Sequence, residues 1–351
     1  MMVSIVVPNR NKEQSLSHCL AALYRSDYPD FEVIVVDDGS EDGSVAIARR
    51  FPCQLIPLPV SVGAAEARNI GARLARGRIL FFIDSDCVVE TDTIARLAAI
   101  FGTLDQKIIV GGTYTEKPYD SGFFSFFQSV FIHYSETRQN PPDYVATHAL
   151  AMHAEQFRRS GGFARNFLPI LEDVDFSHRM RRLGFRLRME RQLRVAHDFR
   201  FGLRRSVING FTKARYWLAY SLMNRDLLAD SGTASRELKT NLLFFASLIF
   251  FLGAGRFFDL RLWPLVGSIV AVNLFACRRL LRSFFRAGGV WFGLRAVAYF
   301  LFGYPLAVWA GAGRGLLDVV TQRLPFCRKT VESRSDNKER MVSYPLLETR
   351  K

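Results

Sequence analysis

Asp84 and Asp86 stand one residue apart at the end of the apolar run Arg78-Ile-Leu-Phe-Phe-Ile-Asp-Ser-Asp86. Two carboxylates this close repel each other unless they face water or share a cation. Hard divalent cations take oxygen ligands and leave coordination positions for substrate phosphates. The pair is read as a cation–diphosphate site, the ordinary alternative for an isolated Asp-x-Asp being a solvated turn or a helix cap. A second acidic group, Glu172-Asp173-Val174-Asp175, and a third, Asp37-Asp38-Gly39-Ser40, lie elsewhere in the chain. Arg68 and Asn69 fall near the start of a helix, where anions are favoured. The Asp-x-Asp pair and Arg68 would supply a cation holder and a diphosphate cradle, provided that the fold brings them together.

The elements that would position them alternate. Val3–Val7 reads as a strand ending in Pro8-Asn9-Arg10-Asn11, and 13–26 as a helix with Leu16, Leu20 and Leu23 on one face. Strands are expected at 33–36, 54–58, 79–83 and 107–110, and helices at 44–51, 64–76 and 91–101. Such alternation implies a mostly parallel, doubly wound α/β sheet, whose ligands sit at the carboxyl ends of the strands. Asp38 or Asp37 can then accept from a base imide or from ribose hydroxyls. The segment 121–135 is unusually aromatic, either a helix covering the sheet or an acceptor-binding surface. Gly161-Gly162-Phe163 is a turn, Glu172 and Asp173 open a helix to about Leu183, and Gly184 stops it.

In order and spacing, VVPNRN, VVDDGS, GAAEARNIG, DSD, GGF and EDVDFSHRMRRLG resemble the inverting family 2 glycosyltransferases of GT-A fold over about residues 3–200. The resemblance implies a Rossmann-like catalytic domain that transfers a sugar from a nucleotide-sugar, UDP-linked by default, with Mn²⁺ or Mg²⁺. It implies donor contacts from Pro8, Asn11, Asp37, Asp38, Arg68, Asp84 (near the ribose), Ser85 and Glu172. Asp86 would hold the metal, with His197 as a further ligand in place of an ordinary structural histidine. Asp173 would be the catalytic base. Glu172 has three open roles: binding the acceptor, raising the Asp173 pKa through like charge, or capping the helix. Asp175 is expected to cap. His148 and His153 lie near the strand that borders the donor sugar in the family, and both are expected to pack. The Gln-x-x-Arg-Trp motif of processive members is missing from Lys213-Ala214-Arg215-Tyr216-Trp217, which argues for transfer of a single sugar. Two other readings are weighed: nucleotidyl transfer, which would want an early glycine-rich basic loop, and a non-enzymatic membrane-bound binding or assembly module.

Charge and hydropathy divide the chain. Residues 1–200 carry as many acidic as basic side chains, so the whole net charge of +14 belongs to residues 201–351, beside the longest apolar runs. A basic, apolar, aromatic region suits an anionic membrane surface, and no nucleic-acid motif accompanies it. The expected organisation is a catalytic domain over 1–202, an interfacial amphipathic region over 203–240, membrane-embedded helices over 241–320 and a polar, disordered tail over 321–351. The apolar runs 241–255 and 262–277 have 15 and 16 residues, below the ~20 of a straight span. The third, 290–313, carries Arg295, and it is not expected to cross once. Arg278, Arg279, Arg282 and Arg286 would form a cytoplasmic loop if the first two runs make a hairpin. Five scattered cysteines without CxxC spacing indicate neither a zinc site nor a disulfide framework. With no signal-peptide pattern at the start, the catalytic domain is expected at the cytoplasmic face of the inner membrane, acting on a lipid-linked or surface-glycan precursor.

Overall fold

The computed structural model describes residues 1–103, 105–165, 168–257 and 263–321. Its eight strands are β1 (Val3–Asn9), β2 (Phe31–Asp37), β3 (Gln54–Pro57), β4 (Ile79–Phe82), β5 (Cys87–Val89), β6 (Ile108–Tyr114), β7 (Leu150–His153) and β8 (Arg186–His197). They form one sheet in the order β3-β2-β1-β4-β7-β6-β8-β5. The first four are parallel, as the alternation of elements requires. β7 inserts antiparallel between β4 and β6, and β5 runs antiparallel to β8, so the sheet is mixed.

Alternate strand residues feed two cores. Ile5, Val7, Val35 and Phe81 pack under α1 (Glu13–Leu23), α2 (Ser44–Ala48), α4 (Thr93–Thr103) and α5 (Phe123–Thr137). Val6, Ile34, Val36, Leu80 and Phe82 pack under α3 (Ala64–Leu74), α6 (Ala154–Arg159) and α7 (Glu172–Arg182). Helices thus cover both faces, which is why these strands read as unbroken apolar runs. α1 and α2 end three residues before the sequence reading placed them, and α4 starts two residues later; such ends fray or tighten into turns.

The carboxyl-terminal part is helical: α8 (Leu203–Asn224), α9 (Arg236–Phe257), α10 (Trp263–Ala298), a π-helical turn over Tyr299–Gly303, and α11 (Tyr304–Val320). α9 and α10 outrun the apolar stretches that seeded them; 22 residues of α9 rise about 33 Å. Arg236–Arg256 and Pro264–Val320 are long and apolar enough to cross a membrane, and only 11% and 22% of their most apolar windows are buried. Large apolar side chains such as Leu243, Phe250 and Trp291 lie bare on them. Core helices of a soluble domain hide such residues.

Two expectations about this region change. Arg278, Arg279, Arg282 and Arg286 belong to α10, which continues past them and kinks at Gly289 (φ 74°), so they form no loop. Between them Leu280, Leu281 and Phe284 are buried in the core that holds α5, placing this arginine-bearing turn of α10 at the catalytic domain. The third apolar run is broken by the kink and the π-helical turn, and Phe300, Tyr304 and Val308 join that core. The aromatic segment 121–135 explains itself here: Phe127 stacks on Phe284 at 5.3 Å and Phe131 meets Tyr304 at 5.8 Å, so α5 is a sandwich filling between sheet and helices. The tail after Thr321, including Cys327, lies outside the described residues.

Candidate active site

The carboxyl ends of β1, β2 and β4 open into a cavity of about 350 Å³ lined by Pro8, Lys12, Asp38, Arg68, Asp84, Ser85, Asp86 and His197, among others. A chamber of about 330 Å³ continues from it, with Ala64, Arg68 and Asp84 in both walls, and contains Glu136, Tyr144, His148, Glu172, Asp173 and Lys213. A larger depression, about 710 Å³, lies between Asn140–Asp143 and Phe185–Arg188 and holds none of the candidate residues. Chemistry, not size, picks the site.

Arg68 joins the two chambers. It is buried on α3, and its guanidinium donates to Asp84 Oδ1 at 2.6 Å and to Glu172 Oε1 at 2.7 Å. Residues 104 apart in sequence thereby share one cleft. Its Nε–H is buried and makes no hydrogen bond among the described residues.

On the first side, Asp86 ends the turn after β4. Its Oδ2 accepts from Lys12 Nζ at 2.8 Å, and its Oδ1 lies 3.3 Å from His197 Nε2. The backbone ties the same pair together, with Asp198 N–H donating to Asp86 O and β5 pairing Cys87 with His197. Burial works against the Asp86 charge, but His197 and Lys12 more than offset it and hold the carboxyl below its ordinary value. Burial lowers the His197 imidazole, against the upward pull of Asp86 and Asp84. Asp86, Cys87 and His197 place potential ligand atoms within 4.8 Å of one another. The Cys87 thiol is pushed well up by burial and by Asp86 and Asp84, so it stays protonated and is no thiolate ligand. The usable donors are one carboxylate and one imidazole, and the protein's own ammonium already neutralises the carboxylate. That set fits a hard divalent cation better than zinc in a sulfur site.

The Asp37–Ser40 turn is built by its own acids. Asp37 stands behind the cleft wall and accepts from Asn9 Nδ2 (2.8 Å), Ser40 N (2.9 Å) and Ser40 Oγ (2.7 Å). Asn11, at φ 50°, accepts from Glu41 N–H at 2.8 Å, and its own N–H donates to Ser40 Oγ. Asp37 and Asn11 shape the loop that borders the cavity, beside its lining residues Asn9, Arg10 and Asp38. Asp38 does line it, and accepts from Ser61 Oγ (2.7 Å), Val62 N (2.5 Å) and Gly63 N (3.0 Å). Gly39 sits at φ 68°, where a Cβ would lie 3.0 Å from Ser61 N; the turn needs glycine.

On the second side, Leu171 precedes α7 in the left-handed region (φ 76°), unusual for leucine. Packing against Trp217 and Tyr220 holds it there. This turn presents Glu172 and Asp173 to the chamber in the first turn of α7, where the helix dipole favours carboxylates. Burial and the neighbouring Glu172 raise Asp173 to about 7, against the pull of Arg68. Asp175 makes no cap; it lies 3.9 Å from Arg179 on the same helix. His148 stacks on Tyr114 at 4.0 Å, with its Nε2 3.5 Å from Glu136 Oε2, so it belongs to the chamber. His153 sits at the other end of β7 against Phe101. Lys12, Glu136 and Tyr144 escaped the sequence reading, each a single polar residue in a loop or an aromatic helix with no spacing to mark it, and Lys213 was read only as part of an interfacial helix, not of the site.

Comparison with known proteins now has a geometry to meet. Residues 4–161 match the family described as glycosyl transferase family 2. The chain carries a family 2 glycosyltransferase domain. Glycosyltransferase GlyG of Streptococcus pneumoniae is 30% identical over 130 residues, 36% of this chain and 43% of that protein. Glycosyltransferase AglE of Haloferax volcanii is 36% identical over 129 residues, 34% of this chain and 41% of that one. The chain thus spans about two fifths of the length of these relatives. Among solved structures, the mannosyltransferase PcManGT from Pyrobaculum calidifontis, in complex with GDP-Man and Mn²⁺, is similar at a TM-score of 0.53 and 18% identity, covering 90% of this chain and 87% of that one. This likeness shows the fold, a GT-A core followed by a helical region. The family match ends before Glu172, Asp173 and His197, so their place in the site rests on the contacts described above.

Proposed function

We propose that this glycosyltransferase moves a single sugar from a nucleoside-diphosphate sugar to an acceptor hydroxyl with inversion, and that it needs a divalent cation. The observation that carries the reading is the Arg68 bridge, which sets the Asp84/Asp86 pair and the Glu172/Asp173 pair on two sides of one cleft. The donor occupies the side of Pro8, Asp38, Ser85 and Asp86; UDP-sugars are the first to try, GDP-sugars the second.

Mn²⁺ or Mg²⁺ would be held by Asp86 and His197, and when bound it supplies positive charge for the departing diphosphate. Lys12 and Arg68 add fixed positive charge on the same side. Asp173 takes the proton of the acceptor hydroxyl as its oxygen bonds to the anomeric carbon. The bond from that carbon to the diphosphate breaks, and its electron pair leaves with the nucleoside diphosphate. A carboxylate raised to about 7 is a stronger base than an ordinary aspartate and is still half ionised at neutral pH. A covalent sugar–enzyme stage is unnecessary, since one displacement accounts for the groups present. The bare apolar helices α9 and α10 hold this cleft at the cytoplasmic face of a membrane, where the acceptor is a lipid-linked or surface-glycan precursor.

The test is a nucleotide-sugar screen with Mn²⁺ on the full chain in nanodiscs, followed by release of nucleoside diphosphate. One donor should stabilise the protein and be turned over, with EDTA stopping turnover. Asp173→Asn should keep donor binding and lose turnover. Full activity of that variant, or indifference to chelation, would overturn the assignments of base and metal respectively.

A further inference from the structure

A groove of about 420 Å³ lies outside the catalytic domain, walled by α8, residues 227–243 and α11. Its lining is almost wholly apolar; Leu228, Leu242, Leu243, Val308 and Trp309 are representative. Leu228 and Leu243 are largely exposed, at 88% and 67%. The groove ends at Lys213, Trp217 and Thr233, and the same three residues line the chamber of Asp173. The groove, on the side of the bare helices, therefore abuts the chamber of the proposed base, with these three side chains between them. At the junction Lys213 makes no hydrogen bond among the described residues, although Glu136 and Asp173 face it and burial lowers its pKa. A half-buried ammonium with all three donors free is a site for an anionic oxygen.

We infer that the groove and Lys213 form the acceptor site, and that the acceptor is a single hydrocarbon chain ending in a phosphate ester, with its reactive hydroxyl beyond the phosphate. The inference rests on the glycosyltransferase reading and names its substrate class. The chain lies along α8 and α11, the phosphate meets Lys213, and the polar head passes into the chamber beside Asp173. The wall shared by groove and chamber, with the free Lys213 ammonium in it, favours this occupant over a bilayer phospholipid, which would have no reason to reach towards the base. Burial of each methylene should strengthen binding about fourfold.

The test uses the full chain in phosphatidylcholine nanodiscs and an alkyl phosphate carrying a diazirine midway along its chain. Adducts should concentrate on α8, residues 227–243 and α11. Labelling should fall about tenfold in Lys213→Met, as expected when a charged hydrogen bond is lost, and about as far with the matching alkyl alcohol. Leu243→Trp, at an exposed position, should block the groove without a folding defect. Labelling spread over all lipid-facing helices, or equal labelling by the alcohol or in Lys213→Met, would mean an ordinary bilayer lipid and would overturn the inference. Donor binding is measured on the same samples by thermal shift. Its absence from the parent protein would count against the donor reading, while the labelling pattern still decides the groove.

Discussion

Replacing Glu172 by glutamine should make Asp173 easier to ionise. Asp173 stands at about 7 against an ordinary 3.8, a difference of roughly three pH units or about 4 kcal/mol. Burial is its largest cause and Glu172 the second, while Arg68 pulls the other way. Glu172→Gln removes the like charge and leaves the Arg68 guanidinium, now short of one anionic partner, to act more strongly on its neighbours. A downward move of about one unit, or about 1.4 kcal/mol, is expected. A base must be ionised to act, so kcat/KM of the parent rises with pH around 7 and at pH 6 stands near a tenth of its plateau. In Glu172→Gln the midpoint should fall towards 6, raising the pH 6 value to about half of that variant's own, lower plateau. The assay is nucleoside diphosphate release at subsaturating acceptor between pH 5 and 9, with Asp173→Asn as the control that has lost the limb and about 10²–10⁴ in rate. A midpoint that stays put or climbs would refute the claim that Glu172 raises the base.

Two more outcomes follow from the same charges. Because the folded-state pKa of Asp173 lies above its unfolded value, stability is lost as pH rises from about 4 through about 7. Asp173→Asn should therefore melt higher than the parent at pH 8, by on the order of 2–4 kcal/mol, and the gain should shrink towards pH 4; equal gains at both pH values would rule this out. Lys12 competes for the Asp86 oxygen from a half-exposed position, 46% accessible, so Lys12→Met should tighten Mn²⁺ binding about fivefold, equivalent to about 1 kcal/mol, in an electron-resonance titration. Weaker Mn²⁺ binding would mean that Lys12 helps to build the cation site.

The parts of this molecule that repeat with a period were legible in the sequence, and the parts built by one residue were not. Val3–Val7, Val33–Val36 and Ile79–Ile83 announce parallel strands because burial on both faces leaves no polar interruption, and the acidic endings then mark the ligand edge. The antiparallel strands β5 and β7 are three and four residues long, too short for a pattern to show. Asp37 and Asn11 look like ligands because acids and amides at strand ends commonly are. Only coordinates reveal that they also build the loop, through hydrogen bonds with Asn9, Ser40 and Glu41. Lys12, Glu136 and Lys213 gain significance from neighbours that are 74, 12 and 40 residues distant, in the persons of Asp86, His148 and Asp173. The arginines after the second apolar run read as a loop because charge usually ends a membrane segment. Here α10 carries them onward, since its opposite face packs on α5.

The seam between α8 and α11 has a further consequence. A Cβ on Gly311 or Gly315 would lie 2.2 or 2.3 Å from the Phe211 or Arg215 carbonyl oxygen, so the two backbones touch with nothing between them. Buried Asp318 clasps Arg215 across the same seam and is also paired with Arg314 on its own helix. Helices locked backbone to backbone cannot rock, and α8 carries both the end of the groove and one wall of the chamber. If the acceptor is lipid-borne as proposed, the height of Asp173 above the hydrocarbon is then a fixed length, and the protein should act as a ruler, rejecting acceptors whose hydroxyl stands too near the lipid or too far from it.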